Sequence, residues 1–161
     1  MLSYSGADDE ETFDKVYGDY MKAYDADVLY LTYIYDGIKE TLEALKEKGI
    51  ELAVLSNKPD FAARSAVEMF FGKDYFDVVF GQRENVAIKP DPAGVFEILD
   101  ILAAEKEDCL YIGDTAVDMK TGKSAGLYTV GVLWGFREKE ELESANADSI
   151  IESPEELLKF L

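Results

Sequence analysis

The chain has no histidine and one cysteine in 161 residues. The first absence excludes Ser-His-Asp and Cys-His machinery, histidine general bases and most zinc sites, all of which need imidazole. The second excludes an internal disulfide. Cys109 sits in an apolar run, so it reads as a core thiol in a reducing compartment rather than as a nucleophile. Cations are also scarce: 16 Lys and Arg stand against 34 Asp and Glu, a net charge of −18. That balance argues against a nucleic acid or an anionic membrane surface as partner. An anionic substrate would need a local cation or a metal. Neither a signal peptide nor a long apolar span is visible, and we expect a cytoplasmic protein.

What remains is ordinary for a soluble globular domain. Hydrophobic residues make up 48%, and the length suffices for one domain with a sizeable core. From residue 50 onward strand-like and helix-like segments alternate, which predicts a parallel α/β sheet. The expected main strands are Ile50–Ser56, Asp77–Phe80, Cys109–Ile112 and Tyr128–Leu133, with a small last strand Ser149–Glu152. Helices are expected over Ile38–Lys48, Asp60–Phe71, Ala93–Ala104, Lys139–Ser144 and Pro154–Leu161. Before these, Asp8–Tyr24 carries Phe13, Val16, Tyr17, Tyr20, Met21 and Tyr24 at helical spacing. Val28–Tyr35 is strongly β-prone and stops at Asp36-Gly37.

The stretch CLYIGDTAVDMKTGKSAG, Cys109 to Gly126, organises the rest. A strand that stops at Gly113-Asp114 points a carboxylate out of its carboxyl end, where ligands bind in open α/β sheets. Asp118 follows four residues on, at a helix start. Two hard oxygen donors facing one crevice suit Mg²⁺. The plainer alternative makes Asp114 a helix N-cap and Asp118 a first-turn acid that complements the helix dipole. Two other places offer phosphate chemistry. Ser56 and Asn57 end an apolar strand and can donate to a phosphate oxygen, or can simply form a turn before the next helix. Lys89 stands in a loop stiffened by Pro90 and Pro92, where it can neutralise a phosphate as a point charge or be a solvated loop lysine.

In order along the chain, Ser56 after LAVL, Lys89 in AIKPDP, and Gly113-Asp114 with Asp118 in YIGDTAVDM resemble the second, third and fourth motifs of the haloacid dehalogenase superfamily. SNKPD, KPDP and GVLWGF resemble its phosphoglycolate phosphatase-like branch. The resemblance covers about residues 10 to 161. It implies a Rossmann-like core of helices on a parallel sheet over residues 37–161, preceded by a residual helical cap segment and linker over 1–36. It also implies Mg²⁺-dependent hydrolysis of a small phosphorylated metabolite. On that implication Ser56 binds the transferring phosphoryl group, with Asn57 beside it. Lys89 steadies the charge, and Asp114 holds the metal with Asp118 helping directly or through water.

One departure outweighs the matches. The family's first motif is a hydrophobic strand, then Asp-x-Asp, then Gly-Thr. It supplies the nucleophile, the general acid/base and the central strand. Here the only Asp-x-Asp is Asp25-Ala26-Asp27, which precedes an apolar run and is followed by Val28; we read it as a helix-end turn. The expectation is a truncated form that is inactive alone. A non-catalytic phosphate- or Mg²⁺-binding remnant or interaction module competes with it, and a receiver-like signalling domain is a weaker third. Without its central strand the sheet should have a gap between Ile50–Ser56 and Cys109–Ile112. The two strands could close up, a strand could come from another molecule, or Val28–Tyr35 could swing in. Association or strand exchange between chains ranks first.

Overall fold

The computed structural model describes Thr12, Lys15 and residues 32–161. Two compact units divide the chain, Met1–Thr32 and Tyr33–Leu161. Thr12 and Lys15 are helical. The rest of the expected helix Asp8–Tyr24, and Asp25-Ala26-Asp27, lie outside the described residues. So does the first half of Val28–Tyr35; its last four residues form no strand, and Tyr33 is exposed.

The second unit opens with α1, Ile38–Glu47, which follows the turn Asp36-Gly37 and buries Thr41 and Leu45. Then come β1, Ala53–Pro59; α2, Asp60–Phe71; β2, Val78–Gln82; and α3, Ala93–Leu102. A 3₁₀ turn, Lys106–Asp108, leads to β3, Leu110–Gly113, and α4, Ala116–Ala125. β4, Tyr128–Val132, α5, Lys139–Ser144, and β5, Ser149–Ile151, follow. The chain closes in a 3₁₀ segment, Pro154–Phe160, where an α-helix was expected. A capping box between Ser153 and Glu156 starts that segment, and Pro154 packs on Gly37 ahead of α1.

β1 starts later than its apolar run predicts. Ile50 to Leu52 stay outside it because Asp77 clamps Leu52 from both sides. Leu52 N–H donates to Asp77 Oδ2 at 2.8 Å, and Leu52 C=O accepts from Asp77 N–H at 2.8 Å. Pairing then begins at Ala53 with Val78, and after Leu55 the register shifts so that Pro59 lies opposite Gln82. Other strand bounds differ from expectation by a residue or two, the ordinary fraying of short strands.

Among the described residues all pairings are parallel, as expected, but they form two sheets rather than one. β1 pairs with β2, and β3-β4-β5 make the second sheet. β1 and β3 do not pair, so the two strands have not closed up. An apolar cluster around Val95, Ala125 and Leu127 gathers Leu55 of β1 and Tyr111 of β3 and ties the sheets together. Two further clusters fill the second sheet's faces, one on Val130, Val132 and Leu157, the other on Met119 and Leu142. Between β1 and β3 lies a cavity of about 660 Å³.

Among the described residues, no helix is long and apolar enough to cross a membrane.

Candidate functional site

Of the four residues singled out by their motifs, Lys89 and Asp118 are in contact, and Ser56 borders the same small pocket as Lys89. Asn57 follows Ser56 near the end of β1, and its side chain grips the backbone of Lys89. Asn57 Nδ2 donates to Lys89 O at 3.1 Å, and Lys89 N–H donates to Asn57 Oδ1 at 2.9 Å. Across the gap, Lys89 Nζ donates to Asp118 Oδ1 at 2.7 Å. The side chains of this ion pair are only 15% and 9% exposed, so it is a held pair rather than a solvated one. Lys89 thus joins the end of β1 to the start of α4. Since α4 follows directly on β3, this contact brings the carboxyl ends of the two strands near each other.

Asp118 is positioned by its neighbours in sequence. Thr115, not Asp114, is the N-cap of α4. Its Oγ1 accepts from Asp118 N–H at 3.2 Å and donates to Asp118 Oδ2 at 2.6 Å. Of the plainer alternative, Asp118 is indeed a first-turn acid, but Asp114 is not the cap; the cap spacing is Thr-x-x-Asp, counted from Thr115. Gly113 is needed here for closeness. A Cβ on it would stand 2.2 Å from Asp118 Cβ, well inside contact distance.

Asp114 is therefore left for another role. Its Oδ2 accepts from Phe136 N–H at 2.8 Å, in the loop after β4. The loop comes this near because residue 135 is glycine; a Cβ there would lie 2.3 Å from Asp114 Cβ. Among the described residues no other hydrogen bond reaches Asp114. Ser56 Oγ accepts from Lys58 N–H at 3.1 Å. Ser56, Asn57 and Lys89 border one small pocket, together with Arg83.

The Asp114 carboxylate has the hard oxygen chemistry that Mg²⁺ takes. Its donor set is short: among the described residues, no three His, Cys, Asp or Glu side chains come together as a metal cluster. Asp118 already has both oxygens in hydrogen bonds. The residues present fit Mg²⁺ in kind but not in number.

Other groups are quiet. Burial pushes the Cys109 thiol up, and the charges of Asp108 and Glu51 add to that; its S–H donates to Glu105 O at 3.2 Å. It is not an activated nucleophile. Burial also pushes the Tyr111 phenol far up, with the Asp118 charge adding to it. Arg83 gave no signal in the sequence, lying between Gln82 and Glu84. Its guanidinium stacks 3.7 Å from the Phe80 ring centroid and donates from Nη1 to Glu97 at 2.8 Å. Its Nε and Nη2 are buried without a partner among the described residues.

Comparison with known proteins follows the same line. A family model of haloacid dehalogenase-like hydrolases matches residues 2–132. The chain is 38% identical over 127 residues to a phosphoglycolate phosphatase of Aquifex aeolicus, covering 79% of this chain and 58% of that protein. It is 32% identical over 158 residues to phosphoglycolate phosphatase 1 of Pseudomonas aeruginosa, covering 98% of this chain and 57% of that protein. Among solved structures, one titled a predicted phosphoglycolate phosphatase, from Haemophilus somnus, superposes with a TM-score of 0.87 at 26% identity. It is matched over 99% of this chain and 71% of its own. The chain therefore spans little more than half the length of these two curated relatives.

Proposed function

We propose, from the premise that this chain belongs to the haloacid dehalogenase-like hydrolases, that residues 37–161 are the phosphate- and Mg²⁺-handling part of a phosphatase. Its substrate class is a small phosphate monoester of the phosphoglycolate kind, the compound named in its relatives. The observation that carries the reading is the buried Lys89–Asp118 pair held at the ends of β1 and β3, beside Ser56.

Each side chain keeps capacity for this work. A hydroxyl offers one donor and two acceptor sites. Ser56 spends an acceptor on Lys58 N–H, so its O–H is left to donate to a phosphoryl oxygen. Lys89 has three donors and gives one to Asp118. Asp118 fixes where the ammonium stands, and Asn57 fixes the backbone from which it projects. That is the positioning and charge neutralisation phosphoryl transfer demands. Asp114 would hold Mg²⁺, with Asp118 next to it. When bound, the ion would neutralise phosphate charge that a chain of net −18 otherwise repels.

The nucleophile is the missing part. No Asp-x-Asp-Gly-Thr occurs in the sequence. We therefore infer that these 161 residues alone bind phosphate weakly and turn over little or no substrate. The test is an assay of p-nitrophenyl phosphate and phosphoglycolate with Mg²⁺, beside a calorimetric titration with inorganic phosphate. Phosphate binding that is lost in Ser56→Ala and Lys89→Met, without turnover, is the expected result. A robust rate that survives Asp25→Asn with Asp27→Asn would overturn it. Absence of phosphate binding would leave only an interaction module.

A further inference from the structure

Arg83 has donors that no neighbour takes. It follows β2 directly and borders the same small pocket as Ser56, Asn57 and Lys89. Its guanidinium is fixed twice. The centroid of the Phe80 ring lies 3.7 Å from it, and Nη1 donates to Glu97 Oε2 at 2.8 Å. Nε and Nη2 are buried and have no acceptor among the described residues. The nearby acids are committed elsewhere. Asp60 spends one oxygen on Arg64 Nε and the other on Gly81 N–H, and Asp91 turns an oxygen to Ala93 N–H. We propose that Arg83 is a carboxylate subsite: it reads the carboxylate of a short phosphate monoester whose phosphate lies at Ser56 and Lys89.

The free pair is of a particular kind. A guanidinium holds its N–H donors in a rigid plane, and Nε and Nη2 share one edge of it. Two parallel N–H bonds from such an edge meet the two oxygens of a carboxylate. Arginine does not lose its proton, so burial leaves the charge in place. Buried donors without acceptors are costly, and native structures keep few of them. Here two stand on one edge, in a side chain already held in plane. A carboxylate accepts both at once and opposes the charge, whereas a water brings a single neutral oxygen. Phosphate would also suit the fork, but Ser56 and Lys89 take it in the phosphatase reading above, on which this inference rests. The remaining anionic group of a small substrate is its carboxylate, and phosphoglycolate, the compound named in the relatives, carries one. The pocket has about 10 Å³ free, room for about one water. Val86, Ala87 and Ile88 form part of its wall, and the last two are exposed. The carboxylate enters by displacing that wall outward, which leaves the core closed.

The test compares three ligands on the full chain by calorimetry with Mg²⁺ present: phosphoglycolate, ethyl phosphate and inorganic phosphate. Ethyl phosphate puts a methyl group where phosphoglycolate has its carboxylate. Phosphoglycolate should bind roughly tenfold or more tighter than ethyl phosphate, the scale of hydrogen bonds to a charged group. The net charge of −18 opposes the more anionic ligand, so this preference needs a local cation. Arg83→Gln should bring the two esters level while inorganic phosphate binds as before. Retained phosphate binding also shows that the variant is folded. Arg83→Lys should not restore the preference, because an ammonium is a point charge without the fork.

Equal binding of phosphoglycolate and ethyl phosphate by the unaltered chain overturns the proposal, and that comparison needs no variant to fold. So does a preference that survives Arg83→Gln, which would place the carboxylate elsewhere. So does full restoration by Arg83→Lys, which would make the effect one of charge without a fork. In each case inorganic phosphate still binds and the phosphatase reading stands. Failure of all three ligands to bind removes that reading, and the carboxylate subsite falls with it.

Discussion

Removing Lys89 should cost more stability than removing its partner. At 2.7 Å and an effective dielectric near 20, the Coulomb attraction of the Lys89–Asp118 pair is about 6 kcal/mol before desolvation is counted. Desolvation offsets most of it, so the pair as a whole contributes little, but breaking it does not. Lys89→Met leaves a carboxylate whose side chain is 9% exposed and which keeps only the Thr115 bonds among the described residues. The expected loss is about 3–5 kcal/mol, the cost of an uncompensated buried charge. Asp118→Asn should cost less, about 1–2 kcal/mol, because a lysine stem can carry its ammonium out to water. The double variant should then cost less than the sum, with a coupling of about 1–3 kcal/mol. Urea denaturation of the four proteins, at low salt and at 1 M NaCl, measures this. With so little of the pair exposed, salt should hardly alter the coupling. Two results would refute the reasoning: a Lys89→Met loss below about 0.5 kcal/mol, or strictly additive single losses.

Gly113→Ala should destabilise by about 1–3 kcal/mol and weaken phosphate binding, since the new Cβ drives into the buried Asp118; unchanged denaturation would mean that the strand end relocates freely. Stability should fall in acid through Asp148. Burial pulls its carboxyl upward, but the Lys123 and Thr129 hydrogen bonds outweigh that and leave it below its ordinary value. A depressed carboxylate contributes stability above its unfolded value of about 4 and loses it as pH falls through the lower folded value. Asp60, lowered by Arg64 and the Gly81 N–H against the pull of burial, acts in the same window. Asp148→Asn should flatten the acid limb of a stability–pH curve, and an unaltered limb would remove Asp148 from it. In a Mg²⁺ titration, Asp114→Asn should abolish what weak binding there is, while equal binding in both proteins would move the metal elsewhere.

Helices were easier to read in the sequence than strands, for a local reason. Asp60–Phe71 and Lys139–Ser144 have the expected bounds because periodicity and terminating residues lie within each segment. Where β1 begins depends on Asp77, 25 residues away from the Leu52 it clamps, and no local pattern carries that. Motif spacing singled out Ser56, Lys89, Asp114 and Asp118. It did not show how they are held. For Asn57 the sequence leaves a phosphate donor and a turn residue open; its amide spans to the Lys89 backbone, 32 residues on. Motif spacing does not single out Thr115, although Thr-x-x-Asp is itself a cap signal.

The cavity between β1 and β3 is the case in which composition and exposure disagree. Leu110 to Ile112 reads as a strand written for burial on both faces, yet Leu110 is 38% and Ile112 42% exposed. An exposed edge strand is normally short, charged or interrupted by proline, because an apolar one invites pairing. β3 is short, but it carries no charge and no proline. β1 has its charged Lys58 and its Pro59 only at the far end, past the residues that line the cavity. Natural edges are protected, and among the described residues no strand pairs with these two on the cavity side. Their residue types are those of interior strands, each with a neighbour on both sides. From these residues alone, the physical expectation is a third strand between them.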